Sequence, residues 1–104
     1  MTKVWIAYND RRKDFSKAED YGELRDVFSS VGKNYNPDVL IEHARTVLSK
    51  AEKGDYLLVV GDPSLVAICT VAMSEVLEGE VKLLRWDRNN MTYYPLELDF
   101  DWRE

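Results

Sequence analysis

The sequence is poor in several residue types that mark particular classes of protein. It has one cysteine and one histidine among 104 residues, so it can form no internal disulfide. Its 14 basic residues are outnumbered by 19 acidic ones, which is the wrong balance for a nucleic-acid binder. The longest apolar stretch, residues 65–77, is interrupted by Thr70 and Ser74 and falls short of the ~20 residues that span a bilayer. These shortages predict a protein of a reducing cytoplasm that binds neither membrane nor nucleic acid directly.

Residues that carry catalysis or hold cofactors are also scarce. The chain has five glycines and contains neither a P-loop nor a Gly-x-Gly-x-x-Gly motif. His43 has no cysteine or acid nearby for a triad or a metal pair, and Cys69 lies inside an apolar helix pattern. The carboxylates Asp10 and Asp14 fit a solvated loop as well as a cation site. We therefore expect no cofactor, no metal and no catalytic group, and favour a protein that is not an enzyme.

The hydrophobic pattern predicts one α/β domain over residues 1–104. With 45% hydrophobic residues, a chain of this length can bury a single core. Strand and helix patterns alternate as β-α-β-α-β-α-β-β, which is typical of a small Rossmann-like or flavodoxin-like open sheet. The sheet should be mostly parallel, with an antiparallel strand from a C-terminal hairpin. The predicted strands are residues 4–8, 24–29, 56–60, 81–86 and 91–98.

Polar caps predict where the helices begin. Asn36 and Asp62 are each followed by proline, which suits the first helical position. Ser16 and Glu19 have the spacing of a capping box for a short helix at 17–21. The last helix, 63–78, is apolar almost all round, which is more than one sheet face requires. It is either buried in the core or forms a homodimer contact.

The turn at residues 61–64 predicts a ligand site. Right-handed crossovers would order the parallel strands 2-1-3-4, so the carboxyl ends of strands one and three would be neighbours. Ligands of open α/β sheets bind at such a point, and free N–H groups at the helix start could receive a phosphate or nucleotide. The alternative is that Asp62 itself fills the anion position. The residues of this predicted ligand site are Asn9, Asp10, Arg11, Asp14, Ser16, Gly61, Asp62 and Ser64.

Aromatic residues near the C-terminus predict a second surface. Several of them fall on the terminal hairpin beside two arginines, which is the composition of protein interface hot spots. Pro95 would make the last strand an edge strand. The alternative is that the rings cover the second face of the sheet. The residues of this predicted protein interface are Arg85, Trp86, Arg88, Tyr93, Tyr94 and Trp102.

One segment resembles a known family. Residues 14–24, DFSKAEDYGEL, are similar to a motif of small α/β accessory proteins of tailed bacteriophages, Asp-aromatic-Ser-x-Ala-x-x-aromatic-Gly-Glu-Leu. The similarity extends through residues 55–58 and 81–84. The resemblance implies an accessory phage protein, made in a bacterial cytoplasm, that acts on a host protein or a host defence component. It implies no particular activity.

Two functions remain open at this point. The first is a non-enzymatic module that binds a host protein through the hairpin, the acidic C-terminus or both. The second is a protein that binds or sequesters a nucleotide-like or phosphate-like anion where strands one and three end, or an enzyme that acts at that site. An exposed aromatic patch would favour the first and a concave polar pocket the second.

Overall fold

One five-stranded sheet organises the chain. The computed structural model describes residues 1–9, 13–29 and 36–101. The strands are β1 (Lys3–Ile6), β2 (Glu23–Asp26), β3 (Tyr56–Leu58), β4 (Glu80–Asp87) and β5 (Thr92–Asp99). They lie in the order β2-β1-β3-β4-β5, with β5 antiparallel to β4 and the other neighbours parallel. This confirms a small α/β fold whose sheet is mostly parallel and ends in an antiparallel hairpin strand.

Two capped α-helices connect the later strands. Helix α1 (Pro37–Leu48) begins after Asn36, whose Oδ1 accepts a hydrogen bond from the Asp38 amide at 3.0 Å. Helix α2 (Pro63–Val76) begins after Asp62, whose Oδ1 accepts one from the Ser64 amide at 2.8 Å. Both predicted caps are confirmed.

The first connection differs from its prediction. Residues Ser16–Asp20 form a 3₁₀ helix, and its cap residue Phe15 makes no side-chain cap bond. The capping box of Ser16 and Glu19 was therefore wrong. Asp14 satisfies a backbone group at the start of the 3₁₀ helix instead, because its Oδ1 accepts a hydrogen bond from the Ser16 amide at 2.9 Å. Phe15 and Ala18 are buried against the sheet, which holds this short segment in place without an α-helical turn.

The two faces of the sheet carry separate cores. On one face, Trp5, Leu57 and Val81 pack with buried residues of α1 and α2. On the other face, Val4, Ile6, Leu58 and Leu84 pack with Phe15 and Ala18 of the 3₁₀ segment. Alternate residues of a strand point to opposite faces, which explains this division. The connections that follow β1 and β3 therefore leave to opposite faces of the sheet.

A buried carboxylate joins the amino ends of β1 and β3. Asp55 is 2% exposed, and its Oδ1 accepts a hydrogen bond from the Lys3 amide at 3.0 Å. Its Oδ2 accepts from the Trp5 indole Nε1 and from the Glu52 amide, both at 3.0 Å. The Lys3 ammonium lies 3.5 Å from Oδ2 and 2.9 Å from the Glu52 carboxylate. The hydrogen bond with Glu52 raises the pKa of Lys3 and lowers the pKa of Glu52. Asp55 is thus fully partnered despite its burial.

The outer edge of β5 is built so that it resists pairing. The Phe100 amide donates to the Gly79 carbonyl at 3.0 Å. Because backbone N–H groups point alternately to the two sides of a strand, the even-numbered residues of β5 direct their N–H groups toward β4. Pro95, opposite Leu84, belongs to the other set, so its missing N–H falls on the outer edge. Proline and charged residues at such positions block the addition of another strand, and Glu97 is the next outward residue.

Candidate functional site

The carboxyl ends of β1 and β3 meet at the predicted ligand site. Gly61 has φ +92°, and a Cβ placed on it would lie 3.9 Å from the Tyr8 carbonyl oxygen. The chain that leaves β1 therefore runs beside the turn that leaves β3. Since the connections leave to opposite faces, this corner has the geometry at which α/β sheets bind ligands.

The predicted ligand residues form two local groups. Gly61, Asp62 and Ser64 lie together at the start of α2, and the Asp62 carboxylate already accepts the free Ser64 amide. Asp14 and Ser16 are paired at the start of the 3₁₀ helix, where the backbone bond from Ser16 lowers the pKa of Asp14. The other three are placed as follows: Asn9 is partly buried, and Asp10 and Arg11 lie outside the described residues.

The predicted hairpin interface is divided between the two faces of the sheet. Trp86 pairs in register with Tyr93, and their rings meet edge to face with centroids 4.9 Å apart. Tyr93 is 6% exposed, its burial raises its pKa, and its carbonyl accepts the Tyr21 hydroxyl at 3.1 Å. The Lys17 ammonium lies 5.6 Å from the Trp86 ring centroid. These two rings cover the second face of the sheet, as the alternative interpretation expected.

The next pair of residues faces the helix side and is more open. Arg85 pairs with Tyr94, and its guanidinium carbon lies 5.7 Å from the centroid of that ring. Leu96, two residues further along β5, shares this face and is 37% exposed. Arg88 is exposed at the turn, and Trp102 lies outside the described residues. We call Arg85, Arg88, Tyr94 and Leu96 the hairpin surface.

Leu96 is the member of this surface that sequence reasoning missed. The residues of the predicted interface are neighbours along the hairpin, whereas in a strand neighbouring side chains point to opposite faces and every second residue shares a face. Applied to β5, this rule groups Leu96 with Tyr94 and separates Tyr93 from both. The signal was therefore present in the sequence.

The other reactive side chains have structural surroundings. Cys69 is buried in α2, and burial raises the pKa of its thiol to about 12. The His43 Nε2 donates to the Val27 carbonyl at 2.6 Å and so ties α1 to the segment after β2. Among residues 1–9, 13–29 and 36–101, no group of three or more His, Cys, Asp or Glu could hold a metal ion. Neither helix in that part of the chain is long and apolar enough to cross a bilayer.

Fold and surfaces together define a class: a small α/β protein with a two-faced core and an open hairpin that carries two arginines near its turn. Comparison with protein families makes the assignment specific. Residues 5–100 match the family described as Phage Pam3 gp32-like protein, and the chain belongs to that family. It is a bacteriophage protein, as the motif at residues 14–24 led us to expect. No curated protein matches the chain, and no solved structure does.

Proposed function

We propose that this phage protein is a non-enzymatic binding module that docks on a protein of the bacterial host, in the host cytoplasm, through the hairpin surface. The observation that supports this most is that, on the helix side of β5, Leu96 is exposed and Tyr94 is only half-buried. A tyrosine under a stacked arginine, beside an exposed leucine, offers both the apolar contact and the hydrogen bonds that central interface residues supply.

The charge of the hairpin surface indicates the kind of partner. The whole chain carries a formal charge of -5, yet at the turn end of the hairpin Arg85 and Arg88 outnumber the one carboxylate, Asp87. Complementary charge raises association rates and selects among partners. A host surface that carries carboxylates around an apolar patch is therefore the partner that this surface fits, and a component of host defence is one possible bearer.

The edge of β5 limits how such a partner can bind. Strand addition needs a row of free N–H and C=O groups along an edge, and Pro95 removes a donor from the middle of that row. Docking must therefore use the side chains on the helix side of the hairpin. The affinity is then set by Tyr94 and Arg85 rather than by main-chain pairing.

Affinity capture with matched charge-reversal variants tests this proposal. The tagged protein is incubated with lysate of the host bacterium, and captured proteins are identified by mass spectrometry and then purified. We expect Tyr94→Ala to weaken binding to the purified partner by about 30-fold, as expected for the loss of an interface residue worth about 2 kcal/mol. Arg85→Glu should weaken it as well, and more strongly at low salt.

Arg25→Glu is the matched control. Arg25 is an exposed arginine of β2, at the opposite edge of the sheet, and pairs with Glu23 at 2.8 Å. It undergoes the same charge change as Arg85→Glu, but far from the hairpin surface. Equal retention of the partner by the two variants would place the contact elsewhere and contradict the proposal.

The corner between β1 and β3 supports a second candidate, a protein that binds or sequesters a phosphate-bearing anion. Its support is the position of Gly61 beside the Tyr8 carbonyl, at the point where the connections diverge. The difficulty for this candidate is that the Asp62 carboxylate occupies the helix start. A bound anion would have to displace that carboxylate or lie beside it.

Isothermal titration calorimetry with inorganic phosphate and with ATP tests this second candidate. We expect Ser64→Glu to abolish binding by placing a like charge at the helix start. Asp62→Asn should strengthen it several-fold, because it removes the competing negative charge while keeping a capping oxygen. Absence of binding by both the wild type and Asp62→Asn would exclude an anion site at this corner.

A further inference from the structure

The outward side of α2 is unusual for a surface helix because it carries almost no charge. Val71, in the middle of the helix, is 56% exposed, and Ala67 one turn earlier is exposed too. Glu75 is the only charged residue within the helix itself. An exposed helix face is normally polar, so this side of α2 has the composition of a covered surface.

A groove runs beside this apolar side, between α1 and α2. Its volume is about 260 Å³, and its apolar lining comes from Ile41 of α1 and Ala67, Ile68, Val71 and Ala72 of α2. Ile41 is itself 37% exposed. The exposed valine and the open groove therefore lie on one surface, which could receive a side chain such as Val71 from a second molecule.

The charges at this groove favour a second copy of the same chain. Arg45 and Glu75 line the groove and bond each other through two contacts of 3.1 Å, so their charges cancel. Two molecules that each carry a charge of -5 repel one another over most of their surfaces. Within the groove lining the one cation and the one anion are paired, so repulsion is weakest on the α2 side of this face, whereas Asp38 and Glu42 lie further out on α1 beside Ile41.

The area of the outer side of α1 and α2 agrees with an interface to a second copy of the chain. Helices of 12 and 14 residues are about 18 and 21 Å long at 1.5 Å per residue. A standard interface takes about 800 Å² from each partner, which is roughly an eighth of the 6787 Å² surface of this chain. The outer side of two helices packed together supplies an area of that order.

We infer that the protein forms a homodimer through α1 and α2, with the two copies related by a two-fold axis that passes near Val71. In such an interface the same patch is used by both molecules. Val71 of each copy enters the groove of the other, and the Arg45–Glu75 pairs lie at its rim. The dimer leaves the hairpin surface of each copy free, so it is independent of the proposed host contact.

Analytical ultracentrifugation of the purified protein, from micromolar to millimolar concentration, tests this dimer. We expect the wild type to sediment as a dimer and Val71→Glu to raise the dissociation constant by about 100-fold, since two carboxylates would meet at the axis. Met91→Glu is the control: Met91 is 58% exposed, slightly more than Val71, but lies at the hairpin turn. A wild type that stays monomeric, or equal weakening by both variants, overturns the inference.

A cysteine variant tests the axis directly. The native Cys69 is fully buried and its pKa is raised, so it does not react in the folded protein. Val71→Cys should therefore form a disulfide-linked dimer under mild oxidation, visible on a non-reducing gel, whereas Met91→Cys should not. Cross-linking of Met91→Cys without that of Val71→Cys would contradict a two-fold axis near Val71.

Discussion

Replacement of Asp55 by alanine should lower the free energy of unfolding by about 3–5 kcal/mol, the cost of breaking a buried charged network. The carboxylate accepts hydrogen bonds from the Lys3 amide, the Trp5 indole and the Glu52 amide, and it is 2% exposed. Its loss would leave a buried indole N–H and two amides without their partner. Urea denaturation followed by far-UV circular dichroism measures the change.

Glu52→Ala is the control for this effect. The Glu52 side chain is 69% exposed, and its ion pair with Lys3 is screened by water. Its removal should change stability far less than the removal of Asp55. If the two variants lose equal stability, the burial of Asp55 is not what makes it important. Asp55→Asn separates charge from hydrogen bonding, since an amide oxygen at the Oδ2 position can still accept hydrogen bonds from two of the three donors, the Trp5 indole and the Glu52 amide.

Replacement of Gly22 by alanine is the second change with a large expected effect. A Cβ on Gly22 would lie 2.6 Å from the Thr2 carbonyl oxygen and 2.9 Å from its carbon. Both are backbone atoms held by the hydrogen bond from the Glu23 amide to the Thr2 carbonyl, so β1 and β2 would have to separate. We expect a loss of about 3 kcal/mol, at the upper end of the range for overpacking.

Gly54→Ala provides the comparison for Gly22. Gly54 has φ +97° and nothing within 4 Å of an added Cβ. Alanine at this position is therefore destabilising only through the left-handed backbone conformation that it has to adopt. That penalty is about 1 kcal/mol. Thermal unfolding of both variants should rank Gly22→Ala as the less stable. The opposite ranking would mean that the β1–β2 contact adjusts easily.

Gly22 also shows where local sequence reasoning stops. In the sequence Gly22 directly follows the short helix predicted at residues 17–21, and glycine at that position commonly ends a helix, which is a role within its own segment. Its tightest constraint comes from Thr2, on a different strand. The same holds for Asp55, whose partners Lys3 and Trp5 lie about 50 residues away. Contacts of this kind leave no periodicity or cap signal in the sequence.

Local signals in the sequence predicted the helix starts and the strands, in contrast to these long-range contacts. The Asn36 and Asp62 caps, each followed by proline, located the starts of both α-helices. The strand predicted at residues 56–60, third in the order 2-1-3-4, is β3 at the centre of the sheet. The strands predicted at 81–86 and 91–98 form the hairpin, and Pro95 lies on its edge strand as predicted. The candidate interface was predicted less accurately. Grouping by sequence position put Trp86 and Tyr94 on one patch, whereas they lie on opposite faces of the sheet.

The motif that carries the family resemblance has a structural explanation at most of its positions. Asp14 holds the Ser16 amide, Phe15 and Ala18 are buried, and the Tyr21 hydroxyl bonds the backbone of β5. Gly22 fits against Thr2, as described above. A motif made of such residues identifies relatives by how their first crossover folds. It therefore indicates the origin of the chain without indicating a reaction.

The proline on the outer edge of β5 bears on how the protein behaves at high concentration. An eight-residue antiparallel strand with an open edge would invite copies to stack into ribbons. Pro95 prevents that growth by interrupting the row of donors, and the charge of Glu97 opposes it further. The chain can thus reach a high concentration as discrete molecules, because the free edge of its sheet recruits no further strand.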